Sequence, residues 1–442
     1  MPHIRELLQQ RRIFSEEEFK GFEFLEGIEF IQPKVSICLL CKGGRMLCGK
    51  PFCPIAAKAK ALAKLTPLIA SEHIEGSSPP SVFVGHVGYP KVAFGPMMPP
   101  YFGDTEILDT PERWIGLSIS EIIDYRFSLI RGKIRASVDD ASKGGRILDK
   151  LQELAMGISP TEAEATFAKT PRRVLTLDDN SQPFGPSAPL RFFNVPNIKT
   201  DWRVEKVFSD GDLRASEAVV QLYKEGVAVT RIQRPFSLGM LGLRSSRKLV
   251  PTRWSITAID SILSLHLIKE IKQYETINEY RVYTYTNLDN RFVVFLMPYT
   301  WRFEWIEAWF PGTTWNANGA APAIMGDWED WGGRRTYASV GGCYYSARLA
   351  TAEKLSVERR QAAALLLREI HPGYVLPVGV WNVRESVRRA LRAAPEKFDS
   401  LEAALAHATR HLAIPLKTWI ANSTVLRQLL LQTRITEFLA PS

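Results

Sequence analysis

The sequence predicts an α+β protein with a mixed or antiparallel central sheet, surrounding helices, a small N-terminal four-cysteine metal module and a helical C-terminal part. Three observations predict this class. Arg281 to Thr286 and Arg291 to Met297 alternate with the two-residue period of strands and flank a turn, Asn287 to Asn290, as hairpin partners do. Beyond Tyr345 apolar residues recur at helical spacing through Ile370, from Val383 to Ala394 and from Leu401 to Leu412. Four of the five cysteines fall between Cys38 and Cys53.

The elements before the hairpin follow from the same periodicities. Ile55 to Ile69, rich in Ala, Leu and Lys, reads as a helix, and Gly76 to Pro80 ends it ahead of a strand from Ser81 to Gly85. Lys91 to Phe94 is a second short apolar stretch. Helical spacing returns from Glu112 to Arg131, the polar segment Gly157 to Ser187 reads as a loop or junction, and Asp212 to Tyr223 reads as a helix stopped by Gly226. A last helix is expected from Ser423 to Phe438. These elements group into an N-terminal region with the cysteine module (1–75), a main α+β domain (76–380) and a helical C-terminal region (381–442).

At 442 residues the chain exceeds one ordinary core, and 45% hydrophobic with 23% charged residues places it among folded globular proteins. Fifty-six Lys and Arg against 47 Asp and Glu leave a net charge of +9, which favours a polyanionic partner. The best candidate for a membrane span, Trp254 to Ile268, is broken by Asp260 and His266. The first twelve residues carry Arg5, Glu6, Arg11 and Arg12 and lack the apolar core of a signal peptide, so a cytoplasmic protein with no membrane partner is expected.

The cysteine spacing carries chemistry. Cys38 and Cys41 bring two sulfurs to one metal from a tight turn, Cys48 and Cys53 supply a second pair, and Gly43, Gly44 and Gly49 give the loops the freedom such a knuckle needs. Four thiolates make a closed structural site. Zinc is the expected ion, with a four-cysteine iron–sulfur cluster as the alternative.

Two further segments concentrate functional residue types. From Ser237 to Gly242 glycines lead into Arg244, Arg247, Lys248 and Arg253, a run able to bring amides and guanidinium groups to phosphates, with Pro251 and Trp254 giving it shape. Asp327, Glu329 and Asp330, interleaved with Trp328 and Trp331 and followed by Arg334 and Arg335, have the composition of a divalent-ion site for phosphodiester hydrolysis, with arginines on phosphate and tryptophans on bases. The competing reading buries the tryptophans and pairs the carboxylates with the arginines. Asp124, Arg126 and Asp260 read as core ion pairing, His86 has no identifiable partner, and Cys343 reads as a small buried residue. No Walker-type loop is present, which argues against ATP-driven work.

The four-cysteine start, GYPKV from Gly88 to Val92, RKLVPTRWSIT from Arg247 to Thr257 and GRRTYASVGGC from Gly333 to Cys343 resemble the archaeal Nre DNA-repair proteins over nearly the whole chain. The resemblance implies a repair role, a zinc-finger-like N-terminal cluster and a C-terminal motif for PCNA, the sliding clamp. Gln432, Ile435, Phe438 and Leu439 fit that motif's spacing. One helical turn would put Ile435, Phe438 and Leu439 on one face to fill an apolar pocket while Gln432 hydrogen-bonds beside it. Leu439 stands where a second aromatic is common, so moderate clamp affinity is expected. The expected function is a DNA-binding repair factor recruited by PCNA, with a metal-dependent nuclease or other DNA-processing enzyme, or a nucleotide-binding enzyme, as alternatives.

Overall fold

The computed structural model describes residues 29–31, 41, 45–47, 50–172, 174–176 and 184–431. The chain forms two compact units, Met1–Ile262 with Val375–Val378, and Leu263–Tyr374 with Gly379–Ser442. The division falls inside one helix, within the stretch 76–380 read from sequence as a single main domain.

The first unit holds β1 (Glu29–Ile31), β2 (His73–Ser78), β3 (Val82–Val84), β4 (Lys91–Met98), β5 (Ile130–Ser137), β6 (Thr161–Phe167), β7 (Val174–Thr176) and β8 (Ser187–Asn194). Six of them form a mixed sheet in the order β2-β6-β8-β5-β4-β3, while β1 and β7 pair in parallel by themselves. Its helices are α1 (Pro54–Leu65), α2 (Ile119–Ser128), α3 (Arg146–Met156), α4 (Trp202–Ser209), α5 (Ala215–Lys224), α6 (Val229–Ser237) and most of α7 (Thr252–Ile271). α1 begins where expected because Cys53 caps it, its sulfur accepting from the Ala56 amide, and Pro54 fits the first helical position. α2 starts at a reciprocal cap between Ser118 and Glu121 and buries Ile119, Ile122, Ile123 and Phe127; each such side chain contributes about 1.5–3 kcal/mol.

Three expectations are corrected here. Gly76 to Ser78 does not break structure but belongs to β2, where a Cβ on Gly76 would strike the carbonyl oxygen of Pro99. The helix expected to reach Arg131 stops at Ser128, and Ile130 already begins β5. The segment expected as a loop from Gly157 contains β6, whose alanines at 163 and 165 face the core in alternation with Glu162, Glu164 and Thr166.

The second unit is built on β9 (Tyr280–Asn287), β10 (Asn290–Met297), β11 (Arg302–Trp309), β12 (Ala323–Glu329), β13 (Ala363–Ile370) and β14 (Glu396–Phe398), ordered β12-β11-β13-β10-β9-β14. The predicted hairpin is present: Leu288 and Asp289 both take positive φ, the turn that matches the twist of paired strands. Helices α8 (Gly342–Glu358), α9 (Trp381–Arg392), α10 (Leu401–Ala408), α11 (Leu416–Asn422) and α12 (Thr424–Leu431) accompany it.

The helix expected to run on to Ile370 ends at Glu358, with Arg359 in the left-handed conformation. Ala363 to Ile370 is instead the central strand β13, and all eight residues are buried, so its apolar run carries no alternation. Two carboxylates on this sheet hold the C-terminal segments. Glu304 accepts from the Ser423 hydroxyl and from the amides of Thr424 and Val425 at 2.7 and 3.0 Å, and Glu369 accepts from the amides of Ala413 and Ile414, each at 2.8 Å. The last described helix, α12, is therefore fixed at its N-terminal end by charge-assisted hydrogen bonds. No helix among the described residues is long and apolar enough to cross a membrane.

Candidate nucleic-acid interface

Two segments singled out in the sequence, Gly88 to Val92 and Arg247 to Thr257, meet in the first unit. Val138, just past the end of β5, donates its amide to the Pro90 carbonyl at 2.9 Å and accepts from the Leu249 amide at 2.8 Å. Thr252, at the start of α7, accepts the Val84 amide through its hydroxyl at 2.9 Å. These bonds carry Tyr89 and Trp254 to within 5.2 Å of each other, ring centroid to centroid, with planes tilted by 56°. Both rings remain open to solvent, Tyr89 at 52% and Trp254 at 45% exposure, with Val87 exposed beside them. Gly88 makes the loop possible: it takes φ of 87°, and a Cβ there would lie 2.9 Å from the Lys91 carbonyl oxygen.

Exposed cations lie on and beside the same segments. Lys91 and Arg253 are exposed neighbours of the two rings in sequence. Arg135 brings its Nη1 within 3.7 Å of where a Gly88 Cβ would stand. Lys248 pairs with Asp139 at 2.9 Å, a bond that raises its pKa, and both side chains are largely exposed, so the pair holds the lysine only loosely. Arg244 is exposed. Arg247 differs: it is buried, stacks on Phe208 at 5.2 Å and donates to the carbonyls of Gly242, Phe208 and Asp210, and burial first, then nearby Arg244, lowers its pKa. Its guanidinium shapes the loop, and no phosphate contact is assigned to it.

The carboxylate segment, in the second unit, shows the paired arrangement. Asp327 on β12 binds Arg334 through both carboxylate oxygens, with one bond at 2.8 Å, and also accepts from the Ser339 amide at 2.7 Å. Burial pushes the Asp327 pKa up, but the Arg334 bonds and backbone amides outweigh it and leave the group below the usual carboxylate range. Glu329 is buried, accepting from Arg348 at 2.6 Å and from the Trp301 indole at 3.1 Å. Asp330 accepts from the Gly332 amide at 2.8 Å and so closes the following turn. The three do not converge: among the described residues, the group whose ligand atoms lie within 4.8 Å of one another is His73, Glu75 and Glu164 in the first unit. Trp331 carries Lys272 over its ring at 5.0 Å, and Arg335 is exposed.

The remaining sequence candidates have structural surroundings. Asp124 pairs with Lys64 at 2.6 Å, and Arg126 reaches Asp109 at 3.5 Å, so the two do not pair with each other. Cys343 lies beside the buried pair of Arg368 and Glu307, and burial raises its thiol pKa well above the ordinary value, the opposite of an activated nucleophile. Of the four clustered cysteines, Cys41 is buried and Cys53 caps α1, while Cys38 and Cys48 lie outside the described residues. A helix N-terminus favours a thiolate, so the position of Cys53 suits a metal-ligating sulfur. Gln432, Ile435, Phe438 and Leu439 also lie outside the described residues.

The fold and this surface define a two-unit α+β protein with an exposed aromatic pair set among cations. The chain belongs to the archaeal Nre family: the family's N-terminal description matches residues 47–316 and its C-terminal description residues 329–438. Among curated relatives it is 45% identical to the DNA repair protein NreB of Archaeoglobus fulgidus over 393 residues, covering 88% of this chain and 97% of that protein. The DNA repair protein NreA of the same organism is 39% identical, covering 85% of this chain and 93% of its own length. NreA of Haloferax volcanii is 33% identical over 84% of this chain and 90% of that protein. No solved structure matches the chain.

Proposed function

We propose that the chain is a DNA repair factor that binds DNA through the surface around Tyr89 and Trp254 and is recruited to PCNA by Gln432, Ile435, Phe438 and Leu439. The membership of the Nre family and the names of its relatives support the repair role. The observation that carries DNA binding is the exposed Tyr89–Trp254 pair, with exposed Lys91, Arg135, Lys248 and Arg253 on and beside the same segments. Bases stack on such rings and contribute roughly 1–3 kcal/mol each, while the cations follow the backbone. Arg244 and Arg335 are exposed and suited to further phosphate contacts, whereas Arg247 and Arg334 organise their own loops. Cys38, Cys41, Cys48 and Cys53 would hold a structural zinc that ties the N-terminal segment to α1.

Titration of a fluorescently labelled oligonucleotide by anisotropy at several salt concentrations tests the binding reading. Affinity should fall steeply with salt, since each phosphate contact releases counterions. A salt-independent signal, or full affinity in a variant lacking both rings, would refute it.

A further inference from the structure

The surface of the first sheet holds a feature that the aromatic pair does not account for. In β5, Arg131, Lys133 and Arg135 alternate with Ile130, Gly132 and Ile134, so the three cations project from one face. Gly132 points the other way: a Cβ on it would meet the Leu190 side chain at 2.9 Å in the core. On β4, Met97 stands opposite Arg131 and Ala93 opposite Arg135; on β8, Ser187 stands opposite Arg131 and Pro189 opposite Lys133. None of these flanking residues carries a carboxylate, and among the described residues no ion pair is formed by any of the three cations.

Arg131 is the most constrained of the row. Its guanidinium carbon lies 4.5 Å from the Phe184 ring centre and 5.6 Å from that of Phe83, and its Nε is buried with no hydrogen-bond partner. Burial pushes its pKa down to about 10. Lys133 is lowered as well, by burial first and then by its neighbours Arg131 and Arg135. Three like charges at successive positions on one strand face, the first of them removed from water, repel one another and are destabilising without an anion.

We infer that Arg131, Lys133 and Arg135 form a binding site for a phosphate group on one face of this sheet. The Arg131 guanidinium, held between two rings, presents donors in a fixed fork, Lys133 adds a point charge, and Arg135 leads toward Gly88 and the loop of Tyr89. The phosphate comes from a DNA backbone or from a free phosphate or nucleotide, and the two sources are separable. The site rests on the cation row alone and does not require the DNA reading.

The test measures thermal unfolding of the full chain with inorganic phosphate against chloride of equal ionic strength, for the wild type, Lys133→Ala, Arg135→Ala and Lys206→Ala. Phosphate should raise the wild-type midpoint beyond chloride, as a ligand of the folded state does. Each β5 variant should bind phosphate about tenfold more weakly, having lost a charge-assisted bond, and Lys206→Ala, which removes an exposed cation on α4 away from the row, should respond as the wild type. In phosphate-free, low-salt buffer Lys133→Ala should melt at or above the wild type, because a repulsive charge is gone. No phosphate-specific shift, a wild-type response in both β5 variants, or a lower midpoint of Lys133→Ala without phosphate would overturn the site, the last by showing a counter-charge within the chain. Competition by a single-stranded oligonucleotide assigns the phosphate to DNA, and lack of competition assigns it to a free phosphate or nucleotide. If phosphate binds but DNA does not, the DNA reading fails and the anion site stands.

Discussion

Trp254, on the first turn of α7, and Tyr89, in the loop before β4, meet ring to ring at 5.2 Å although they lie far apart in sequence. Thr252 bonded to Val84, and Val138 bonded to both Pro90 and Leu249, hold the two segments together, so the pairing is part of the fold and not a chance approach of surface side chains. Two large exposed rings held in place without a covering core are a preorganised stacking surface.

Trp254→Ala should weaken single-stranded oligonucleotide binding by roughly 1–3 kcal/mol, about fivefold to a hundredfold, and Tyr89→Ala by a similar amount. Since Trp254 is half exposed, the unfolding midpoint should barely move. Arg253→Ala should instead lower affinity mildly and flatten the salt dependence by about one contact. An unchanged affinity in both aromatic variants would remove these rings from the interface.

Asp327 was one of three carboxylates offered by the sequence as a metal site, and its bonds to Arg334 give it a different task. With both oxygens on the guanidinium and the Ser339 amide also donating, the carboxylate organises the loop between β12 and α8. Asp327→Ala should therefore cost about 2 kcal/mol in stability by leaving Arg334 partly buried and unpaired. Labelled DNA incubated with magnesium or manganese should show no cutting that depends on Asp327. A cutting activity lost in Asp327→Ala, in a variant that remains folded, would restore the nuclease reading.

What could be read from sequence, and what could not, follows from period and range. The β9–β10 hairpin was legible because its alternation and its turn are local. β13 was not, because a strand buried on both faces has no alternation and three consecutive leucines fit a helix equally well. The same limit hid the boundary between the units, which falls within a continuous helix. For the site, the cationic run at Arg244 to Arg253 and Trp254 were visible as composition. The Arg131, Lys133 and Arg135 row was missed, although its period of two stands in the sequence, because the helical reading ran through Arg131 and no strand was read after it. The internal use of Arg247 and Arg334 depends on long-range partners that no local pattern announces.

Asp201 gives the first unit a predictable acid response. It caps α4, binds Arg203 through both oxygens at 2.8 and 2.7 Å, and pairs with Arg231 at 3.0 Å. The Arg203 bonds lower its pKa against the opposing effect of burial. A depressed carboxylate stabilises the fold fully above its unfolded pKa, near 3.9, and that contribution is lost as pH falls through the lower folded value. Asp201→Asn should lower the unfolding midpoint at pH 6 and show a shallower decline below pH 4 than the wild type, measured by thermal melts across that range. Parallel declines in the two proteins would count against the assignment.

The cysteine module makes a stoichiometric prediction. Elemental analysis of purified protein should give about one zinc per chain, and Cys53→Ser should release it, because a four-thiolate shell rarely tolerates loss of a ligand. Chelation should loosen the start of α1, which Cys53 caps, without altering the second unit, and hydrogen exchange would map the change. Iron with a visible charge-transfer band in place of zinc would assign the alternative cluster.

The proposed PCNA recruitment by Gln432, Ile435, Phe438 and Leu439 can be tested apart from DNA binding. Glu304 fixes the N-terminal end of α12 with three hydrogen bonds, so the described segment just before Gln432 is firmly held. Phe438→Ala removes the largest apolar anchor of the motif, and such anchors commonly carry about 2–4 kcal/mol of an interface, or roughly thirtyfold and upward in affinity. Calorimetric titration with the sliding clamp of an archaeal relative should show that loss for Phe438→Ala and a smaller one for Gln432→Ala. Leu439→Phe should tighten binding, since an aromatic side chain buries more apolar area. DNA affinity should be the same in all three variants. Equal clamp binding by the wild type and Phe438→Ala would show that recruitment, if it occurs, uses another surface.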